Sequence, residues 1–339
     1  MEHSAKKLRL TKGVVFMHHN LRLFVVIFFL VACQSPQIDA TEAPAPSSGQ
    51  SDAFWKHWSD GLAEIAGYKL TMPRYSQERA GYAVGIFVTE TMDHQSRVKT
   101  DAPQDGSHYP VMKLNLIKDF QTGIYDYNTM LSSFVTLAAN DHLQVGHVSK
   151  ISFSSQEWCG HVYHQLLFER GKISETVHSY FQNEADQSRT FKTAPHVLSE
   201  DTLLLWARGM SGPKLAPGEQ TIVPMLNSLQ RVRLEHVTLQ TTRATLGRHP
   251  TPETITTPAG TFETSRYIAS IEGGQTWEIF VENAFPNRVI RWENTGGEKA
   301  ELQGVMRVAY WAKQRNDHTA LLSKLGLAPL AEAEPEQKQ

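Results

Sequence analysis

Tyr82-Ala83-Val84-Gly85-Ile86-Phe87-Val88-Thr89 decides the class of fold. Tyr82, Val84, Ile86 and Val88 alternate with Ala83, Gly85, Phe87 and Thr89, the period of two that sends successive side chains to opposite faces of a strand. β-Favouring runs of the same kind follow at 111–120, 123–137, 147–155, 161–169 and 173–181. More come at 231–242, 253–258, 261–271, 275–282, 287–294 and 299–311. Pro258-Ala259-Gly260, Glu272-Gly273-Gly274 and Thr295-Gly296-Gly297 supply hairpin turns among the later runs. Short strands in sequence with few helices predict a mainly β protein, a strongly curved antiparallel sheet or open barrel. No segment repeats at solenoid or propeller spacing.

Four helical segments interrupt this pattern. Phe54, Trp58, Leu62 and Ile65 make one apolar stripe and predict a helix over 52–66, with Ser51 or Asp52 as N-cap and Gly67 at its end. That helix is expected to cover one face of the sheet or its open mouth. A second is expected at 199–208, where Ser199 caps, Glu200 and Asp201 suit the first turn and Gly209 stops the run. A further helical turn is expected at 222–230, and a short helix from Asp317 to Leu325. Segments 94–109 and 211–220 read as polar or Gly/Pro loops. Residues 52–326 show no break in the core pattern and predict a single β-rich globular domain, with a charged disordered tail at 327–339.

Composition excludes several classes. The chain has 339 residues, 40 % hydrophobic and 20 % charged, with mean hydropathy −0.36. It is too apolar to be disordered and too polar for a multi-span membrane protein. A net charge of −2 excludes a nucleic-acid binder that relies on a basic surface. Two cysteines exclude a disulfide scaffold.

The average hides a basic leader. Residues 1–32 carry Lys6, Lys7, Arg9, Lys12 and Arg22 against Glu2, followed by the uncharged run Leu23–Ala32. Ten helical residues span roughly 15 Å, half a bilayer core, so the run reads as a secretory signal and not a membrane span. Met17-His18-His19-Asn20-Leu21-Arg22 is a compact n-region by itself and offers Met17 as an alternative start. Leu30-Val31-Ala32-Cys33 resembles the lipobox of bacterial lipoprotein precursors. The resemblance implies a diacylglyceryl group on the Cys33 thiol, cleavage before it, and acylation of the new amino group by a chain such as palmitate. Several acyl chains hold far better than one, at about 0.8 kcal/mol per buried CH₂. Residues 33–51, rich in Pro, Ser and Ala, then read as a disordered tether. Removing the +4 of the leader takes the net charge from −2 to −6. The expected location is the bacterial cell envelope, and Gln34 in place of an aspartate points to the outer membrane.

Gln156-Glu157-Trp158-Cys159-Gly160-His161-Val162-Tyr163-His164 is the densest cluster of reactive residues. On an extended strand Cys159 and His161 share a face about 6.6 Å apart, a weak nucleophile and base pair without a third member to orient it. A free cysteine packed as a small hydrophobe is the simpler reading, and no catalytic residue is assigned. His161 and His164 fall on opposite faces of a strand and cannot chelate together. His94, His108, His142, His147 and His178 are scattered, so no metal site is expected. The carboxylates Asp119, Asp126 and Glu157 lie near strands without forming a motif. No phosphate loop, nucleophile elbow or zinc-protease helix occurs, and no cofactor is expected. Phe262, Tyr267, Trp277, Phe280, Trp292, Tyr310 and Trp311 concentrate aromatic surface in the last strands, as core or as the lining of an apolar cleft.

Two resemblances extend beyond the leader. Pro258-Ala259-Gly260-Thr261-Phe262-Glu263-Thr264, Trp277–Val281, Arg288-Val289-Ile290-Arg291-Trp292 and Ala300-Glu301-Leu302 resemble a periplasmic β-rich domain family of unknown function. That resemblance implies a strongly curved antiparallel sheet, similar in outline to the half-barrel of lipoprotein carriers. Lys113-Leu114-Asn115, Thr122-Gly123-Ile124-Tyr125-Asp126-Tyr127 and Ser154–His161 resemble a group of uncharacterised bacterial lipoproteins, over most of 52–315. Some members carry the label "septum formation inhibitor Maf". Genuine Maf pyrophosphatases open on a basic Ser/Pro/Arg motif, of which only an isolated Pro73-Arg74 stands here, so no residue role follows from that label. Three functions compete: an anchored envelope lipoprotein whose curved sheet binds an apolar ligand or a protein partner, an envelope hydrolase or thiol enzyme using Cys159 and His161, and a structural assembly subunit.

Overall fold

The computed structural model describes residues 50–101, 106–140 and 142–328. The expected leader, Leu30, Val31, Ala32 and Cys33 of the lipobox, all but the end of the tether, and the tail from 329 lie outside the described residues. The elements run α1 (Asp52–Trp58), β1 (Ala63–Arg74), β2 (Gln77–Asp93), β3 (His108–Thr122), β4 (Tyr125–Thr136), β5 (Val148–Glu157), β6 (Gly160–Glu169), β7 (Lys172–Ser179) and β8 (Gln187–Lys192). Then come β9 (Leu198–Ser199), a 3₁₀ turn (Glu200–Thr202), α2 (Leu203–Ala207), β10 (Gln220–Leu226), α3 (Leu229–Glu235), β11 (Thr241–Arg248) and β12 (Glu253–Thr257). The chain closes with β13 (Gly260–Ile271), β14 (Thr276–Glu282), β15 (Val289–Asn294), β16 (Lys299–Val308) and 3₁₀ turns at Tyr310–Ala312 and Asn316–Leu325.

The strands form one sheet in the order β8-β7-β6-β5-β4-β3-β2-β1-β16-β15-β14-β13-β11-β10-β9, with β12 against β13. Every pairing is antiparallel except the two-residue contact of β9 with β10. The edges β8 and β9 do not pair with each other, so the sheet is open, the mainly β architecture expected from the alternation. It is also strongly curved. Nine steps separate β4 from β10, roughly 43 Å across a flat sheet. Yet Val135 of β4, Val223 of β10 and Leu205 of α2 share one buried cluster, and the Ser133 hydroxyl donates to the Asp201 carbonyl at 2.9 Å. The segment from Val197 to Leu215 passes through this clasp, and all of Leu203–Ala207 is buried.

The opening strand sets how close that segment comes. In β2 the Ala83, Gly85 and Phe87 face is buried, while Tyr82, Val84 and Ile86 point outward and are half-buried or exposed. Ala83 and Phe87 join the buried cluster that holds Phe54, Trp58 and Leu205, and Gly85 lies beside Tyr68 and Leu114. The Arg208 guanidinium lies 4.2 Å from the Phe87 ring centre.

Three expectations are corrected. The helix expected over 52–66 ends at Trp58, and Ile65 lies in β1. Residues from Ala63 onward gain two full ladders, to β2 and to β16, which outweigh a helical stripe. Gly67 is therefore no helix stop. It pairs with Gly304 across β1 and β16, and a Cβ on either would stand 2.1 or 2.0 Å from the carbonyl oxygens of Leu325 and Lys324. The two glycines make the notch in which the C-terminal 3₁₀ turn lies. The helical turn expected at 222–230 is strand β10 to Leu226, and the strand expected at 231–242 begins as α3. The Ser228 hydroxyl accepts from the Gln230 amide, while Glu200 and Asp201 accept from the amides of Ser228 and Leu229. Two of the acids that stabilise the start of α3 thus come from a segment far away in sequence.

Candidate functional site

A cleft of about 480 Å³ opens between the end of α2, the loop behind it, and the ends of β11, β13 and β14. Phe54 of α1, Trp206 of α2, Met210, Leu215, Tyr267 of β13 and Phe285 give it apolar walls. Trp206 meets Tyr267 edge to face at 5.4 Å, and its indole N–H donates to the Pro213 carbonyl at 3.0 Å. The volume lies in the range of small-molecule sites, and Gln50, Ser51, Ser265, Asn283 and Asn287 add polar groups to the lining. Among the described residues, no helix is long and apolar enough to cross a membrane.

Charges in the cleft divide into paired and unpaired. Arg208, at the end of α2, grips both oxygens of Glu64 at 2.7 and 3.2 Å and donates to the Pro286 carbonyl at 3.0 Å. Both side chains are essentially fully buried, at 0 % and 2 % exposure, and Trp58 and Phe87 flank the guanidinium at 5.4 and 4.2 Å. Glu282 is clamped by Arg288 at 2.7 Å. Arg248 has no carboxylate within ion-pair distance among the described residues. It donates to the Ser265 hydroxyl at 2.9 Å and the Leu215 carbonyl at 3.3 Å, and lies 5.6 Å from the Tyr267 ring centre. Its Nε is buried without an acceptor. Lys214 is exposed on the same cleft, with no acidic partner among the described residues.

A smaller cleft, about 270 Å³, lies beside α3 and includes Arg74, Tyr75, Gln230, Arg231, Trp277 and Glu298. Its floor is a closed polar network. Lys118 donates to Glu298 at 2.6 Å and to Gln230 at 2.9 Å, and the Trp292 indole donates to Glu298 at 2.8 Å. Burial raises the Glu298 carboxyl, but Lys118, Trp292 and Gln230 together hold it below the usual carboxylate range. Glu200 accepts from the Trp277 indole at 2.7 Å and the Ser228 amide at 2.9 Å, and burial still pushes its pKa up to about 7. Burial likewise raises Asp201. Two carboxyls moved in opposite directions are the signature of an acid and base pair. Here both are buried and their oxygens accept protein N–H donors, so the network is structural.

The residues singled out in the sequence scatter. Cys159 is not on a strand. It sits exposed in the tight turn between β5 and β6, because the chain reverses at Trp158-Cys159 to pair Glu157 with Gly160. Its thiol is raised by the Glu157 carboxylate beside it, away from a reactive thiolate, and no hydrogen bond joins it to His161, which is exposed. Glu157 itself holds Arg233 at 2.9 Å. His164 points the opposite way from His161, buried against Glu175 at 2.8 Å. His147 meets His196 at 3.2 Å, His178 meets Asp186 at 2.9 Å, and His94 packs on Tyr109. Among the described residues no group of three or more His, Cys, Asp or Glu is placed to hold a metal. Asp119 accepts from Asn128 and Asp126 is exposed, so the acidic candidates do not pair. Of the C-terminal aromatics, Phe280 and Trp292 are core, Phe262 packs under Arg288, and Tyr310 and Trp311 lean on each other. Tyr267 and Trp277 reach the two clefts. Sequence reading missed Glu64, Arg208 and Arg248. The one hint was a charge, Arg208, at the end of an all-apolar run.

No family model matches the chain, and no curated protein matches it. Among solved structures it is similar to the beta-barrel-like protein of the domain of unknown function DUF1849 from Brucella abortus. The TM-score is 0.43 at 9 % identity, over 72 % of this chain and 97 % of that one. It is also similar to a DUF1089 family protein from Pseudomonas aeruginosa, with TM-score 0.31 at 10 % identity, over 60 % and 87 % of the two chains.

Proposed function

We propose that the chain is an envelope lipoprotein, anchored through acyl chains on Cys33, whose curved β body binds an apolar ligand in the larger cleft. The observation that carries this reading is the 480 Å³ cleft walled by Phe54, Trp206, Met210, Leu215, Tyr267 and Phe285. A concave site of this size with aromatic and aliphatic residues in its wall and a few polar groups beside them suits a small amphipathic ligand. The lipobox-like Leu30-Val31-Ala32-Cys33 supports the anchor, and Gln34 the outer membrane. Gln50 and Ser51, where the proposed tether joins the body, line the same cleft, so the tether meets the body beside the binding site. Among ligand and partner, the cleft favours the ligand.

Two measurements test this. Mass spectrometry of the mature N-terminus is expected to find residues 1–32 removed and Cys33 acylated; an unmodified thiol ends the anchor. Native mass spectrometry of the protein released from membranes is expected to find a bound acyl-chain compound, or uptake of one that is added. A protein that neither carries nor takes up such a compound ends the ligand reading.

A further inference from the structure

Resting on that reading, we propose that the ligand is an amphipathic anion, one acyl chain bearing a single carboxylate or phosphate, with Arg248 as the seat of its head group and Lys214 as a second cation. A purely apolar ligand would need only the aromatic and aliphatic walls. Arg248 is an expensive residue to hold beside such walls, because a guanidinium gives up hydration and rotamer freedom. The protein satisfies only part of it. Of five N–H donors, one goes to Ser265 and one to the Leu215 carbonyl.

Its position is nevertheless fixed. The Ser265 hydroxyl donates a hydrogen bond to the Asn283 amide oxygen at 2.7 Å, which leaves the hydroxyl oxygen free to accept from Arg248, and the Tyr267 ring lies 5.6 Å from the guanidinium. Donors held in place ahead of binding are what a carboxylate or phosphate oxygen recognises. The remaining charges do not supply that anion. Arg208 is consumed by Glu64, and Glu282 by Arg288. Two cations, Arg248 and Lys214, are left over in a cleft that also carries the neutral polar side chains of Gln50, Ser51, Asn283 and Asn287, within a body whose overall charge is negative. A head group on Arg248 would leave its chain against Tyr267 and Trp206, which line the same cleft.

The test uses the full chain in a neutral detergent, read by native mass spectrometry and by quenching of tryptophan emission. The probes are dodecanoate, dodecyl phosphate, dodecanol and inorganic phosphate, against the wild type, Arg248→Leu and Arg248→Lys. Both chain-bearing anions are expected to bind about tenfold or more tighter than dodecanol, as befits charge-assisted hydrogen bonds. Arg248→Leu is expected to erase that advantage, the two anions then binding no tighter than dodecanol to the same variant, and Arg248→Lys to retain part of it. Whichever of dodecanoate and dodecyl phosphate binds tighter tells a fatty carboxylate from a phospholipid-type head. Equal binding of dodecanol and dodecanoate to the wild type, or an Arg248→Leu protein that keeps the preference, overturns the head-group assignment while the apolar-ligand reading survives. Inorganic phosphate binding as tightly as dodecyl phosphate overturns the amphipathic character. Failure of every chain-bearing probe overturns the apolar-ligand reading itself.

Discussion

Around the smaller cleft the cations Lys118, Arg74 and Arg231 stand against the carboxylates Glu200, Glu235 and Glu298. Around the larger one Arg208, Lys214, Arg248 and Arg288 stand against only Glu64 and Glu282. In the first group Lys118, Trp277, Trp292 and Gln230 satisfy Glu298 and Glu200, and Arg231 reaches Glu235. Arg74, with no carboxylate within ion-pair distance among the described residues, donates to the Leu234 carbonyl and the Tyr127 hydroxyl. The second keeps a surplus of positive charge beside apolar walls. A buried network that satisfies its own members serves rigidity, whereas the donors left over on Arg248 are the ones the proposed ligand would take.

The largest effect expected from breaking this contrast is at Glu64. Glu64→Ala strands the fully buried Arg208 and should cost about 3–5 kcal/mol in denaturant unfolding. It should also weaken ligand uptake, since Arg208 is part of the cleft lining. Next is Glu200→Gln, behind the smaller cleft. The folded protein holds this proton up to about pH 7, while the unfolded chain releases it near the usual 4.5. Wild-type stability from this group is therefore greatest below pH 4.5 and falls as pH rises to 7, by up to roughly 3 kcal/mol. The difference in unfolding free energy between wild type and Glu200→Gln should change across that window and be level above it. Ligand binding at the larger cleft should not move; if it does, the two clefts are coupled and the contrast fails.

Smaller still is Gly304→Ala, remote from both charge groups. Its methyl would collide with the Lys324 carbonyl, displace the C-terminal 3₁₀ turn and cost about 1–3 kcal/mol. Limited proteolysis should then cut after Val308 faster than in the wild type, with ligand affinity unchanged. The smallest effect is on a rate alone. Cys159, though exposed, should be alkylated at neutral pH more slowly than an ordinary free thiol, because Glu157 disfavours the thiolate. Fast alkylation would restore a case for thiol chemistry.

The strands were legible where local pattern and tertiary pairing agree. Runs at 111–120, 161–169 and 261–271 coincide with β3, β6 and β13, since alternation and ladder demand the same side-chain period. The reading failed where a distant partner overrode local preference. Ile65 continues a helical stripe yet belongs to β1, because β16 waits more than two hundred residues away. The α3 helix lay hidden because part of its N-terminal stabilisation comes from Glu200 and Asp201. Of the cleft walls, Phe54 and Tyr267 are singled out by the sequence, the first as part of a helical stripe and the second as an aromatic.

Composition, alternation and turn residues determined by themselves that this is a mainly β protein, because those signals act over a few neighbouring residues. Which face of β2 is buried, that Gly67 and Gly304 form a notch, and that Arg248 is left without a carboxylate were decided only in three dimensions. Such features depend on which side chains meet after the sheet curls round α2, and no local spacing records that meeting.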